Sequence, residues 1–141
     1  MRHLRDADRC TIVLERGEPV LESIIAACNA EKITSAYFQG IGAVSDVEIG
    51  YYTLDTKSYS FTSYPETFEV ASMQGNITLV EGKPFVHAHA VLSRCDETLG
   101  CIGGHIKEAR VAVTLEISMR VLEMPLSRAI DDTIGLKLIA L

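Results

Sequence analysis

Two histidines one residue apart lie inside an apolar run, Phe85-Val86-His87-Ala88-His89-Ala90-Val91-Leu92, and a third follows a glycine pair at Gly103-Gly104-His105. In an extended chain successive side chains alternate between faces, so His87 and His89 share one face with their α-carbons about 6.5 Å apart. Two imidazoles at that separation can converge on one ion. Ala88 and Ala90 turn to the other face with Val86 and Leu92, so one side packs while the histidine side opens to a pocket. Gly103 and Gly104 permit backbone angles that other residues resist, and a close approach of the chain to the strand, which allows His105 to supply a third ligand. Three neutral imidazoles leave the fourth tetrahedral position for water, the layout of a catalytic zinc rather than a closed structural one. A nucleophile then becomes available near neutral pH.

The same residues admit other readings. His87 and His89 also fit as strand histidines bonded to neighbouring carbonyls, with His105 in a loop. Cys95 has the strand parity of His87 and His89, and Cys101 stands four residues before His105, so a mixed cysteine and histidine zinc site competes. Its Cys-x5-Cys spacing departs from the usual two-to-four-residue knuckle. Glu69 and Glu116 fall in strand patterns, where a carboxylate serves as general base or as partner to a metal-bound histidine. Gly40-Ile41-Gly42 lacks the third glycine and following helix of a dinucleotide fingerprint, so it reads as tight backbone turning. Neither a Gly-x-Ser-x-Gly elbow nor a P-loop occurs.

The elements that must position these residues are mostly strands. Residues 11–14 form a β-branched run ending at Gly17. Pro19 then suits a first helical turn, and Val20, Leu21, Ile24, Ile25 and Cys28 recur at helical spacing before Asn29. Strands are predicted over 35–40 and 47–54, joined by a glycine-punctuated turn at 40–44. A meander follows over 58–63, 68–73 and 77–80, broken at Gly75-Asn76. The two longest strand patterns cover 85–93 and 110–121, and a last strand covers 136–141 after a loop at Asp131-Asp132. Six to eight strands against one clear helix call for a mainly antiparallel sheet.

A chain of 141 residues is the size of a single domain, here 1–141, and 48% hydrophobic content with 23% charge supplies a substantial core. That much apolar surface in a small domain also points to a subunit interface. The net charge of -6 and the scatter of the 13 basic residues argue against a nucleic-acid footprint. Arg2, Arg5 and Arg9 are interrupted by Asp6 and Asp8 and read as a solvated end. No apolar stretch reaches membrane-span length and no apolar leader is visible, so a cytoplasmic protein is expected. Cys10, Cys28, Cys95 and Cys101 then read as free thiols.

Gly40-Ile41-Gly42-Ala43-Val44-Ser45-Asp46, Phe68-Glu69-Val70 with Gly75, His87-Ala88-His89 and Gly103-Gly104-His105, in that order, resemble the plants-and-prokaryotes-conserved (PPC) domain, over nearly the whole chain. The family is known as the partner of AT-hook motifs in plant nuclear proteins, and its bacterial and archaeal members are usually the bare domain. The resemblance implies an α+β fold, a mainly antiparallel sheet flanked by helices, assembled as a homotrimer, with metal bound at His87, His89 and His105. The family is often labelled DNA-binding, but no Arg-Gly-Arg-Pro core occurs here and direct DNA binding is not expected. Two functions follow. One is a zinc-binding homotrimeric module; the other is a zinc-dependent hydrolase or hydratase acting on a small molecule at the three-histidine site.

Overall fold

The computed structural model describes residues 1–141. One helix, α1 (Val20–Ala30), buries Val20, Ile24, Ala27 and Cys28, an i, i+4, i+7, i+8 stripe that faces the core. Pro19 is its N-cap in extended conformation, one position earlier than the sequence suggested, and Glu22 sits in the first turn, where a carboxylate complements the helix dipole. No helix is long and apolar enough to cross a membrane.

The rest is sheet: β1 (Arg2–Asp6), β2 (Arg9–Glu15), β3 (Ala36–Thr53), β4 (Ser58–Tyr64), β5 (Phe68–Val80), β6 (Lys83–Arg94), β7 (Cys101–Val121), β8 (Ser127–Asp131) and β9 (Leu136–Ala140). The fold is therefore mainly β, and the expectation of a sheet flanked by helices is corrected: a single helix covers part of one face. The main order is β1-β2-β7-β3-β5-β8-β9, with β4 added to β3 and β6 pairing both β5 and β7. Strands β3, β5, β6 and β7 thus close a circuit of hydrogen-bonded neighbours. All pairings are antiparallel except a short parallel contact at Leu79 and Ser127.

Two expected breaks are absent. The segment 40–44 is no turn but the bend of an 18-residue strand. Pairing shifts register between Gly40 and Gly42 against β5, and between Gly42 and Val44 against β7. Gly42 takes φ +146 with the Thr114 carbonyl where a β-carbon would stand, so the bulge bends β3 without ending it. Gly75 likewise lies within a continuous β5, opposite Phe38. Arg2, Arg5 and Arg9 are exposed, as a solvated end requires, on strands β1 and β2 that pair with each other.

One cluster of 28 buried residues forms the core, drawn from α1 and the inner faces of β2, β3, β5, β6 and β7. On β6, Val86, Ala88, Ala90 and Leu92 enter it. The residues between them face away from α1, and the histidines are among these.

Candidate metal centre

Register brings the histidines together. His89 on β6 lies directly opposite His105 on β7, and His87 is two residues back on the same face of β6. His105 is therefore a strand residue, not a loop residue. The ring centroids of His87 and His89 are 5.1 Å apart, those of His87 and His105 also 5.1 Å, and those of His89 and His105 5.3 Å. One ligand nitrogen from each lies within 4.8 Å of the other two.

The glycine pair contributes by close approach, as its composition suggested. Gly104 has φ +158, and a β-carbon there would stand 2.5 Å from the Gly50 carbonyl oxygen. Since Gly50 on β3 pairs with His105, this contact lets β3 and β6 flank the start of β7 and fixes the direction in which His105 projects. A side chain at 104 would push the strands apart.

Strand β4 walls the site with aromatic rings. His105 lies 4.8 Å from the Tyr59 ring and 6.1 Å from Phe61, and those two stack on each other at 5.3 Å. The C-terminal hairpin β8–β9 closes another side and brings Arg128. Its Nε donates to Thr78 Oγ1 at 2.8 Å, Nη2 to Asn76 Oδ1 at 2.9 Å, and Nη1 to the Lys137 carbonyl at 2.9 Å. Nη2 also lies 3.4 Å from His87 Nδ1, and the guanidinium rests 5.3 Å over the Phe85 ring. Tyr52 pins the hairpin turn through its hydroxyl, which donates to the Ile134 carbonyl at 2.6 Å.

Electrostatics favour uncharged rings. Burial pushes the His87 imidazole down to about 4, helped by the charges of His105, Arg128 and His89. Burial, then His89, lowers His105 as well, and burial raises the Tyr59 phenol. Imidazoles neutral at pH 7 are the form that binds a metal. His105 Nδ1 is buried without a hydrogen-bond partner. An orphaned buried nitrogen costs on the order of 1–3 kcal/mol, and ligation of an ion is one way to satisfy it. Three imidazole ligands suit zinc, copper or nickel rather than magnesium or calcium. A tetrahedral zinc with bonds of about 2.0–2.1 Å asks for nitrogens somewhat closer than 4.8 Å, within reach of small side-chain rotations.

The rival candidates stand apart. Cys95 is exposed beyond the end of β6, Cys101 opens β7 opposite Ser93, and neither joins the cluster. Glu69 and Glu116 are exposed on β5 and β7 and are likewise outside it. No carboxylate or thiol accompanies the three imidazoles. Sequence reading missed Tyr59, Phe61 and Arg128. Arg128 reaches its site partners across 41 to 52 residues of chain, a distance at which no local pattern signals it.

Solved structures share this architecture. A metal-containing protein from Archaeoglobus fulgidus is 29% identical with a TM-score of 0.86, over 94% of this chain and 92% of its own. A plant- and prokaryote-conserved protein from Pyrococcus horikoshii is 29% identical with a TM-score of 0.86, over 99% and 93%. A candidate DNA-binding protein from Ralstonia eutropha is 31% identical with a TM-score of 0.89, over 99% and 95%. No curated protein matches the chain. Residues 1–123 match the Plants and Prokaryotes Conserved (PCC) domain, and the chain belongs to that family.

Proposed function

We propose that this chain is a zinc-binding member of its family and that His87, His89 and His105 hold the ion. The observation that carries the reading is the convergence of three imidazoles, among which the buried His105 Nδ1 has no hydrogen-bond partner. The metal-containing relative from Archaeoglobus fulgidus supports it. Bound there, zinc supplies Lewis acidity. The chain's own part is to present the three imidazoles, to shield His105 behind Tyr59 and Phe61, and to set Arg128 against the His87 edge.

Elemental analysis of protein purified without chelators tests this. About one zinc per chain is expected from three such ligands, with loss in His87→Ala and His105→Ala. Protein free of any transition metal would sink the reading.

Residues 1–141 read as one domain, supported by the single core cluster, and the assembly as a homotrimer. Tyr37, Ile41 and Val113 are 51%, 61% and 67% exposed on strands of the sheet, apolar surface that a second copy would cover. A stable 15.4 kDa species in light scattering at micromolar concentration would remove the trimer.

The hydrolase or hydratase alternative draws on one observation, the exposure of His89, which leaves the site in contact with solvent. It lacks a general base, since no carboxylate stands in the cluster. Direct DNA binding is not favoured at a net charge of -6.

A further inference from the structure

Of the 13 lysines and arginines, eleven are exposed, and only Arg94 and Arg128 are partly buried. Arg94 pairs with Glu66 at 2.8 Å. Arg128 has no carboxylate within ion-pair distance; the seven ion pairs of the chain all lie elsewhere. Its partners are a hydroxyl, an amide oxygen, a carbonyl and an imidazole. These neutral groups orient the guanidinium without offsetting its charge. The cation is partly buried with no carboxylate to offset its charge, although the chain has an excess of acidic residues.

The donor count agrees. A guanidinium carries five N–H groups. Thr78, Asn76 and Lys137 take three at normal length, and His87 Nδ1 accepts at 3.4 Å, near the limit of a hydrogen bond. Two donors are therefore weakly used or free. Phe85 lies under the guanidinium, and Tyr59 and Phe61 line the neighbouring wall beside His105. Rings of this kind suit the apolar body of an organic ligand rather than a bare inorganic anion. Arg128 also lies beyond the residues 1–123 matched by the family domain, on a hairpin held to the site by its own contacts.

We propose that Arg128 is a specificity residue of the three-histidine site and that the site takes a small organic carboxylate, its charge met by the guanidinium and its body by the aromatic rings. The proposal deepens the metal-site reading and rests on it only for a ligand that also reaches the imidazoles; the guanidinium's lack of an anion is independent of any metal.

The test is calorimetric titration of the full chain, metal-free and zinc-loaded, with benzoate, its neutral isostere benzamide, and inorganic phosphate. Benzoate should bind at least about tenfold tighter than benzamide, the worth of one charge-assisted hydrogen-bond pair. Arg128→Gln should erase that preference, and Arg128→Lys, which keeps the charge but not the fork, should retain part of it. Retention in the Lys variant separates charge recognition from mere anchoring of the hairpin. Should the Gln variant not fold, the benzoate and benzamide comparison on the metal-free unaltered protein and Arg128→Lys decides, a preference that is undiminished in Arg128→Lys overturning the role of the guanidinium. Equal binding of the two, or a benzoate preference untouched in a folded Arg128→Gln, overturns the proposal while leaving the metal reading intact. Phosphate binding as tight as benzoate overturns the commitment to an organic carboxylate. A preference that depends on Arg128 in protein that takes up no zinc upholds the proposal while the metal reading fails.

Discussion

The two faces of β6 are built from alternating residues of one strand and differ in burial and in the polar groups they carry. Val86, Ala88, Ala90 and Leu92 are buried in the core, and Leu92 has no exposed surface at all. Phe85, His87, His89 and Val91 face the other way; Phe85 and Val91 are 40% and 45% exposed, and the histidines meet His105 and Arg128. One face supplies cohesion and the other holds groups that can bind. Because the core grips the strand from behind, the histidines are positioned without having to pack, and Ala88 and Ala90 lie close to the core as small side chains must.

This contrast is open to attack by substitution. Leu92→Ala removes a fully buried side chain and should cost about 2–5 kcal/mol of folding stability. His89→Ala on the metal-free protein, at an exposed position, should change stability by less than about 0.5 kcal/mol. Denaturant titration of both checks it. If His89→Ala cost as much as Leu92→Ala, the outer face would be a second structural surface and the division of labour would be wrong.

Zinc should reverse the asymmetry. An ion that binds only the folded chain adds about 3–4 kcal/mol at a hundred to a thousand times its dissociation constant. That increment should appear in Leu92→Ala and vanish in His87→Ala and His105→Ala. A zinc-dependent rise in melting temperature that survives loss of His87 or His105 would place the stabilising ion elsewhere.

The same contrast marks how far the sequence could be read. The period of two across 85–92 put His87 and His89 on one face and the alanines on the other, because alternation in a half-buried strand is a local property. The spacing of Val20, Ile24 and Cys28 gave α1 for the corresponding helical reason. Glycine misled in two places. Locally Gly42 and Gly75 have the signature of punctuation, whereas in β3 and β5 glycine absorbs a bulge or yields space to Phe38 inside a continuous strand. His105 was found through its glycine pair, yet its place in β7 opposite His89 depends on strand pairing that no local pattern specifies. The helices expected around the sheet came from the resemblance alone, and the residues encode only one. Strand β8 carries no sequence signal because its five residues show no buried alternation, and Arg128 on it acquires meaning only from Asn76, Thr78 and His87 far back in the chain.

A further expected effect, smaller than the loss in Leu92→Ala or the gain from zinc, is a pH dependence confined to the outer face. His87 has its ordinary value of 6.5 in the unfolded chain and is pushed down to about 4 in the fold, chiefly by burial. Between those values the unfolded chain binds a proton that the folded chain refuses, so stability is fully present above about pH 6.5 and declines as pH falls towards 4. Both states are protonated below that, and His87 then contributes no further slope. A shift of that size has an upper limit near 3 kcal/mol, and a partly exposed ring on a solvated face should realise about 1–2 kcal/mol of it. His105, lowered in the same direction, adds to the trend. Measured on metal-free protein, the decline between pH 6.5 and 4.5 should be shallower in His87→Gln, which cannot titrate, while Leu92→Ala should lower the whole curve and leave its slope unchanged. A slope in this window that is the same with and without His87 would show that the ring protonates freely in the fold, and the pocket would then be more hydrated than the packing of Phe85, Arg128 and His105 implies.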